Sequence, residues 1–97
     1  MVNGQMQLRP GVIQKDVCGE HLLLAIGKAE MFCPRVCQIN ETAAFLCRLL
    51  ERKLSKAEIT DRMKEEYGIP ESVAGKDLEI FLKELENKGY LVTGNTA

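Results

Sequence analysis

Tryptophan is absent from these 97 residues, histidine occurs once, and aromatic residues make up only 5% of the chain. One imidazole leaves few parts for acid–base chemistry. Long apolar runs are missing too. The longest, Leu22 to Ile26, falls far short of the ~20 residues a membrane helix needs. Met1 to Pro10 lacks an apolar signal core, so a cytoplasmic protein is expected, with no membrane partner. Nor is there an excess of either charge: 13 Lys and Arg stand against 14 Asp and Glu, a net charge of −1. A protein that grips nucleic acid through its phosphates needs a basic surface. What is present, 45% hydrophobic and 28% charged residues, is ordinary for a globular chain. The length predicts one domain over residues 1–97, hiding about 60% of the surface of its unfolded chain. A small binding module is expected, not an enzyme.

The four cysteines, Cys18, Cys33, Cys37 and Cys47, read as free thiols in a reducing compartment. Only Cys33 and Cys37 are close. Their three-residue spacing fits neither the two-residue redox motif nor a paired zinc knuckle, so no metal and no cofactor are expected.

The chain changes character near Asn40: β-formers and glycine turns precede it, and three helical patterns follow. The spacing predicts strands over Val12 to Cys18 and His21 to Ile26, with Gly19-Glu20 as their turn. Ala29 to Phe32 fits either an extended hairpin or a loop. Pro34 lacks a ladder donor and belongs at an edge or a strand start, so a third strand is placed at Arg35 to Ile39. Alternation puts Arg35, Cys37 and Ile39 on one side and Val36 and Gln38 on the other.

Asn40 is a favoured N-cap for a first helix with Ala43, Leu46, Cys47 and Leu50 on its buried stripe. Ser55 and Glu58 have capping-box spacing, and Leu54 and Ile59 that of a hydrophobic staple. Gly68 stops this second helix. Pro70 opens a third and Gly89 closes it. In the third helix Leu78, Phe81, Leu82 and Leu85 form the core stripe. Val73 and Ile80, seven residues apart, make a second apolar row on nearly the opposite side, with Asp77 and Glu84 between the rows. That row is either covered by the chain itself or lines a groove for another chain. Tyr90 to Val92 adds a short extended tail, and Met1 to Gln7 and Thr93 to Ala97 are expected to be mobile. The fold class is therefore α+β and winged-helix-like: a three-stranded antiparallel sheet followed by three helices.

Four segments occur in a telling order: Leu8-Arg9-Pro10-Gly11-Val12, Gln38-Ile39-Asn40-Glu41-Thr42-Ala43-Ala44, Glu65-Glu66-Tyr67-Gly68-Ile69, and Phe81 through Leu91. Together they resemble the PqqD family, peptide-recognition modules of pyrroloquinoline quinone biosynthesis and of other ribosomally made, modified peptides. The resemblance spans about residues 8–92. It implies a chaperone-like adaptor without chemistry of its own, which holds the leader of a precursor peptide for a modifying enzyme, a radical S-adenosylmethionine protein. Ile39 and Cys47 stand where the family usually has leucine and tryptophan, which points to a peptide other than the quinone precursor. The resemblance places the leader as an added strand beside the third strand. By position, that edge is Arg35, Val36, Cys37 and Gln38, and the groove wall is Val73, Asp77, Ile80 and Glu84. Valine and isoleucine would take apolar side chains there, and the two acids a basic one. A free strand edge can equally pair with its own twin as a homodimer.

A winged-helix DNA-binding regulator is the alternative reading. Its recognition helix would be basic, yet residues 70–88 hold three lysines against five acids. A thiol or metal enzyme on Cys33 and Cys37 would need a lowered thiolate pKa, from a helix N-terminus or a nearby cation. Arg35 lies between the two cysteines, but on a strand.

Overall fold

Two consecutive residues in the left-handed region close the first hairpin. Cys18 (φ 52°) and Gly19 (φ 81°) form a two-residue loop with Val17 opposite Glu20, the geometry that matches the right-handed twist of paired strands. The expected Gly19-Glu20 turn is thereby shifted one residue back. The strands run Val12–Val17 (β2) and Glu20–Ala25 (β3), because Glu20 pairs in the ladder instead of turning. These come from a computed structural model that describes residues 6–93. Of the tails expected over residues 1–7 and 93–97, residues 1–5 and 94–97 lie outside them.

Gly27 (φ 69°) ends β3 and starts a 3₁₀ turn, Gly27–Met31, which resolves the ambiguous stretch as neither hairpin nor open loop. Ala29 and Cys33 are the parts of this segment that are buried. The chain then re-enters the sheet at Val36–Ile39 (β4), one residue later than expected. Strand order is β2-β3-β4, all antiparallel, so β4 lies at an edge.

One residue separates β4 from the next helix, Glu41–Glu51 (α1). Asn40 stays extended, and its Oδ1 accepts the Ala43 N–H at 2.8 Å, as its N-cap role requires. The buried face of α1 is wider than the expected stripe: Ala44 and Leu49 join Leu46, Cys47 and Leu50, while Ala43 is half-exposed. A capping box on Ser55 and Glu58 opens Lys56–Tyr67 (α2), and Gly68 (φ 63°) closes it. Glu71–Asn87 (α3) follows Pro70 and buries Ala74, Leu78, Leu82 and Leu85. Phe81, expected in this core, is only half-buried.

The first and last strands of the described residues meet. Met6–Leu8 (β1) pairs antiparallel with Leu91–Thr93 (β5), Leu8 opposite Leu91. Met6, Gln7 and Thr93 are thus strand residues and not tail, and the expected extended end at Tyr90 to Val92 is the beginning of a second, two-stranded sheet. Helix α1 packs on β1, β2 and β3, and α3 packs on α2 and β5. The molecule is a slab of 41 × 37 × 20 Å in which helices cover one face of the three-stranded sheet. Its centre is Leu23, Leu46, Leu50, Ile59, Met63, Leu78 and Tyr90, each 2% exposed or less.

Candidate functional site

The free side of β4 is decided by ladder parity. Antiparallel strands bond between directly opposed residues, every second pair. The Ala25 N–H donates to the Arg35 carbonyl at 3.0 Å, so Arg35, Cys37 and Ile39 turn their backbone groups toward β3. Val36 and Gln38 must then turn theirs outward, and among the described residues neither N–H has an acceptor. An edge with two free donors, whose Gln38 carbonyl accepts only a long 3.8 Å contact from the Cys37 thiol, can take up another extended segment.

Side chains alternate with the same period. Cys37 and Ile39 face the helices, and Val36 (59% exposed) and Gln38 face away. On the helical side a groove of about 550 Å³ separates β4 from α3. Its floor is Leu23, Leu46, Phe81, Leu85 and Tyr90. Its α3 wall carries Asp77, Ile80 and Glu84, continued by Lys88 just past the helix, and its near end is Thr42 and Ala43 of α1. Five of the eight sequence-derived site residues therefore meet here: Cys37, Gln38, Asp77, Ile80 and Glu84. The other three stand apart. Arg35 directs its side chain to Glu30, Nε to Oε1 at 3.6 Å, and Val36 contributes backbone to the edge while its side chain points to the opposite face. Val73 is two helical turns before Ile80 and lies outside the groove lining.

Phe81, Lys88, Thr42 and Ala43 were not singled out from the sequence as site residues. Phe81 sits 100° round the helix from Ile80, at the boundary between core stripe and exposed row, and that position is where a groove begins. Thr42 and Ala43 follow β4 directly, so any guest beside that strand meets them.

The start of β4 is anchored from the far end of α3. The Tyr90 hydroxyl donates to the Pro34 carbonyl at 2.8 Å. Arg9 Nε donates to the Gly89 carbonyl at 2.7 Å, and its guanidinium stacks on the Phe32 ring at 4.3 Å. Gly89 (φ 89°) allows this approach: a Cβ there would run into the Phe32 carbonyl.

The two buried thiols, Cys33 and Cys47, are held in environments that disfavour the thiolate. Burial pushes the Cys33 thiol up, and Cys33 Sγ donates to the Ala29 carbonyl at 3.2 Å. Burial pushes Cys47 up to about 12. Both shifts run opposite to those of a reactive thiolate. Among the described residues no group of three His, Cys, Asp or Glu side chains is placed to hold a metal ion, and no helix is long and apolar enough to cross a membrane. After α3 the chain gives β5, which pairs with β1 and so does not form the hairpin wing of a DNA-binding winged helix.

The family profile described as "Coenzyme PQQ synthesis protein D (PqqD)" matches residues 20–91. No curated protein matches the sequence. Two solved structures share the fold at TM-score 0.73 and 23% identity. One is titled "TbiB1 in Complex with the TbiA(beta) Leader Peptide", covering 94% of this chain and 98% of the other. The second, a lasso peptide synthetase B1 complexed with the leader peptide, covers 91% and 98%.

Proposed function

Because the chain belongs to the PqqD family, we propose that it is a non-catalytic adaptor that captures the leader of a ribosomally made precursor peptide by strand addition to β4. The observation that carries this reading is the pair of unaccepted, outward N–H groups at Val36 and Gln38 beside an apolar groove. The two structural neighbours, each named as a complex with a leader peptide, support it.

The geometry gives the reading a register. Guest residues opposite Val36 and Gln38 share backbone hydrogen bonds with the edge, and their side chains point away from the helices. The guest residue opposite Cys37 turns its side chain into the groove, against Phe81 and Ile80. Main-chain bonds supply affinity for any extended segment, and this inward position supplies selectivity. Asp77 and Glu84 on the groove wall favour a basic guest side chain near the apolar one. Delivery of the held peptide to a radical S-adenosylmethionine enzyme is supported by the family resemblance alone. A second copy pairing on the same edge would compete with the leader.

The test is a titration of ¹⁵N-labelled protein with synthetic leader peptides of ribosomally made precursors. Strand addition protects the Val36 and Gln38 amides from exchange and shifts α3 resonances around Ile80. Ile80→Asp and Val36→Pro each weaken binding, roughly tenfold or more. Unchanged affinity in both variants would remove this groove from consideration.

A further inference from the structure

The three-stranded sheet has two edges, and both have a groove beside them. The one along β2 is about 590 Å³, lined by Pro10 to Lys15, Leu50 and Glu51, and is no smaller than the one at β4. Size does not distinguish them. Backbone donors do. The Ile26 N–H donates to the Gly11 carbonyl at 2.8 Å, so Gly11, Ile13 and Lys15 face β3, and Val12, Gln14 and Asp16 turn their backbone groups outward. Two of these three N–H groups already have acceptors within the chain. Val12 donates to the Arg9 carbonyl at 2.9 Å, and Gln14 donates to Glu51 Oε2 at 2.8 Å. The second acceptor is a side chain reaching from the last residue of α1, and it occupies the place that a guest strand's carbonyl would take. Arg48, one turn earlier on α1, holds the contact in register. Its Nη1 donates to Gln14 Oε1 at 3.1 Å and stands 3.5 Å from Asp16 Oδ2.

The geometry points to Glu51 as the residue that closes the second sheet edge and so confines strand addition to β4. This rests on the reading that guest segments add to a sheet edge, and it explains why a chain with two edges offers one site. Nothing equivalent stands at β4, where the Val36 and Gln38 donors lack an acceptor among the described residues. The occupant kept away from β2 is any extended segment, and a second copy of this chain is the one always present.

The test needs no leader peptide, so its failure leaves the β4 reading standing, and the converse also holds. Amide exchange and sedimentation velocity are compared for the full chain and for Glu51→Ala, Glu51→Gln and Glu51→Lys, with ¹H–¹⁵N spectra confirming that each is folded. In Glu51→Ala the Gln14 amide exchanges roughly tenfold faster in the dilute protein. On concentration this variant associates, with protection returning at Gln14 and Asp16 and not at Val36 or Gln38. Glu51→Gln keeps an acceptor and behaves as the parent chain. Glu51→Lys loses Gln14 protection but does not associate, because a lysine reaching over the β2 edge from α1 puts a charge where a pairing strand would lie. Unaltered Gln14 exchange in Glu51→Ala overturns the proposal. So does association whose new protection lies on β4.

Discussion

At the residue scale, two cysteines show how backbone and burial set local energetics. Cys18 holds a left-handed φ of 52° in a turn that favours asparagine at that position. Cys18→Asn should stabilise the protein by about 0.5–1 kcal/mol, since asparagine tolerates the conformation that costs other L-residues about 1–2 kcal/mol. Urea unfolding checks it, and an unchanged midpoint refutes it. Cys47 gives a pH dependence. Its thiol, fully buried on α1, is pushed up to about 12 from 9.0 by burial and by the Glu51 carboxylate. Below pH 9 both folded and unfolded chains hold the proton, and stability does not depend on this group. Between 9 and about 12 the unfolded chain releases it while the folded chain keeps it, so stability falls as pH rises. The slope is about 1.4 kcal/mol per pH unit for one such group. Cys47→Ala should flatten the decline over that window, measured by urea unfolding under reductant.

At the element scale, β4 is the informative strand. Proline at its first two positions removes different hydrogen bonds. Val36→Pro deletes a donor that points away from the sheet, so the fold should lose less than about 1 kcal/mol while leader binding weakens. Cys37→Pro deletes a donor facing β3 and should cost about 3 kcal/mol. Thermal melts of the two variants separate these outcomes, and a larger loss in Val36→Pro than in Cys37→Pro would mean the parity assignment is reversed. Much at this scale was legible in the sequence. Pro34 places the start of β4 to within one residue, Asn40 marks where it ends, and the Ser55/Glu58 spacing gives the capping box that forms. The hairpin turn was off by one, because cysteine is not a residue that announces a left-handed φ. Val73 was grouped with Ile80 because helical periodicity reports direction around the axis. It says nothing about how far along α3 a neighbouring strand extends.

At the scale of the whole molecule, the site depends on contacts between distant parts of the chain. Tyr90, completely buried at the end of α3, donates across 56 residues to Pro34, at the entry to β4. Tyr90→Phe should cost about 1 kcal/mol of stability. As the entry to β4 loosens, leader affinity should fall a few-fold as well. A stability loss with affinity intact would show the bond to be structural only. The pairing of β1 with β5 likewise joins residues some 85 positions apart, and three-residue strands carry too short a pattern to be recognised locally.

Local patterning determined the order of the three hairpin-side strands and the three helices, and the caps, because each is settled by residues within a few positions of one another. Tertiary structure alone decided which backbone groups on the β4 edge point outward, which α3 residues face it, and that a glutamate on α1 covers the opposite edge. Those outcomes depend on ladder parity and on the lateral distance between elements, which the order of residues in the chain does not encode one by one.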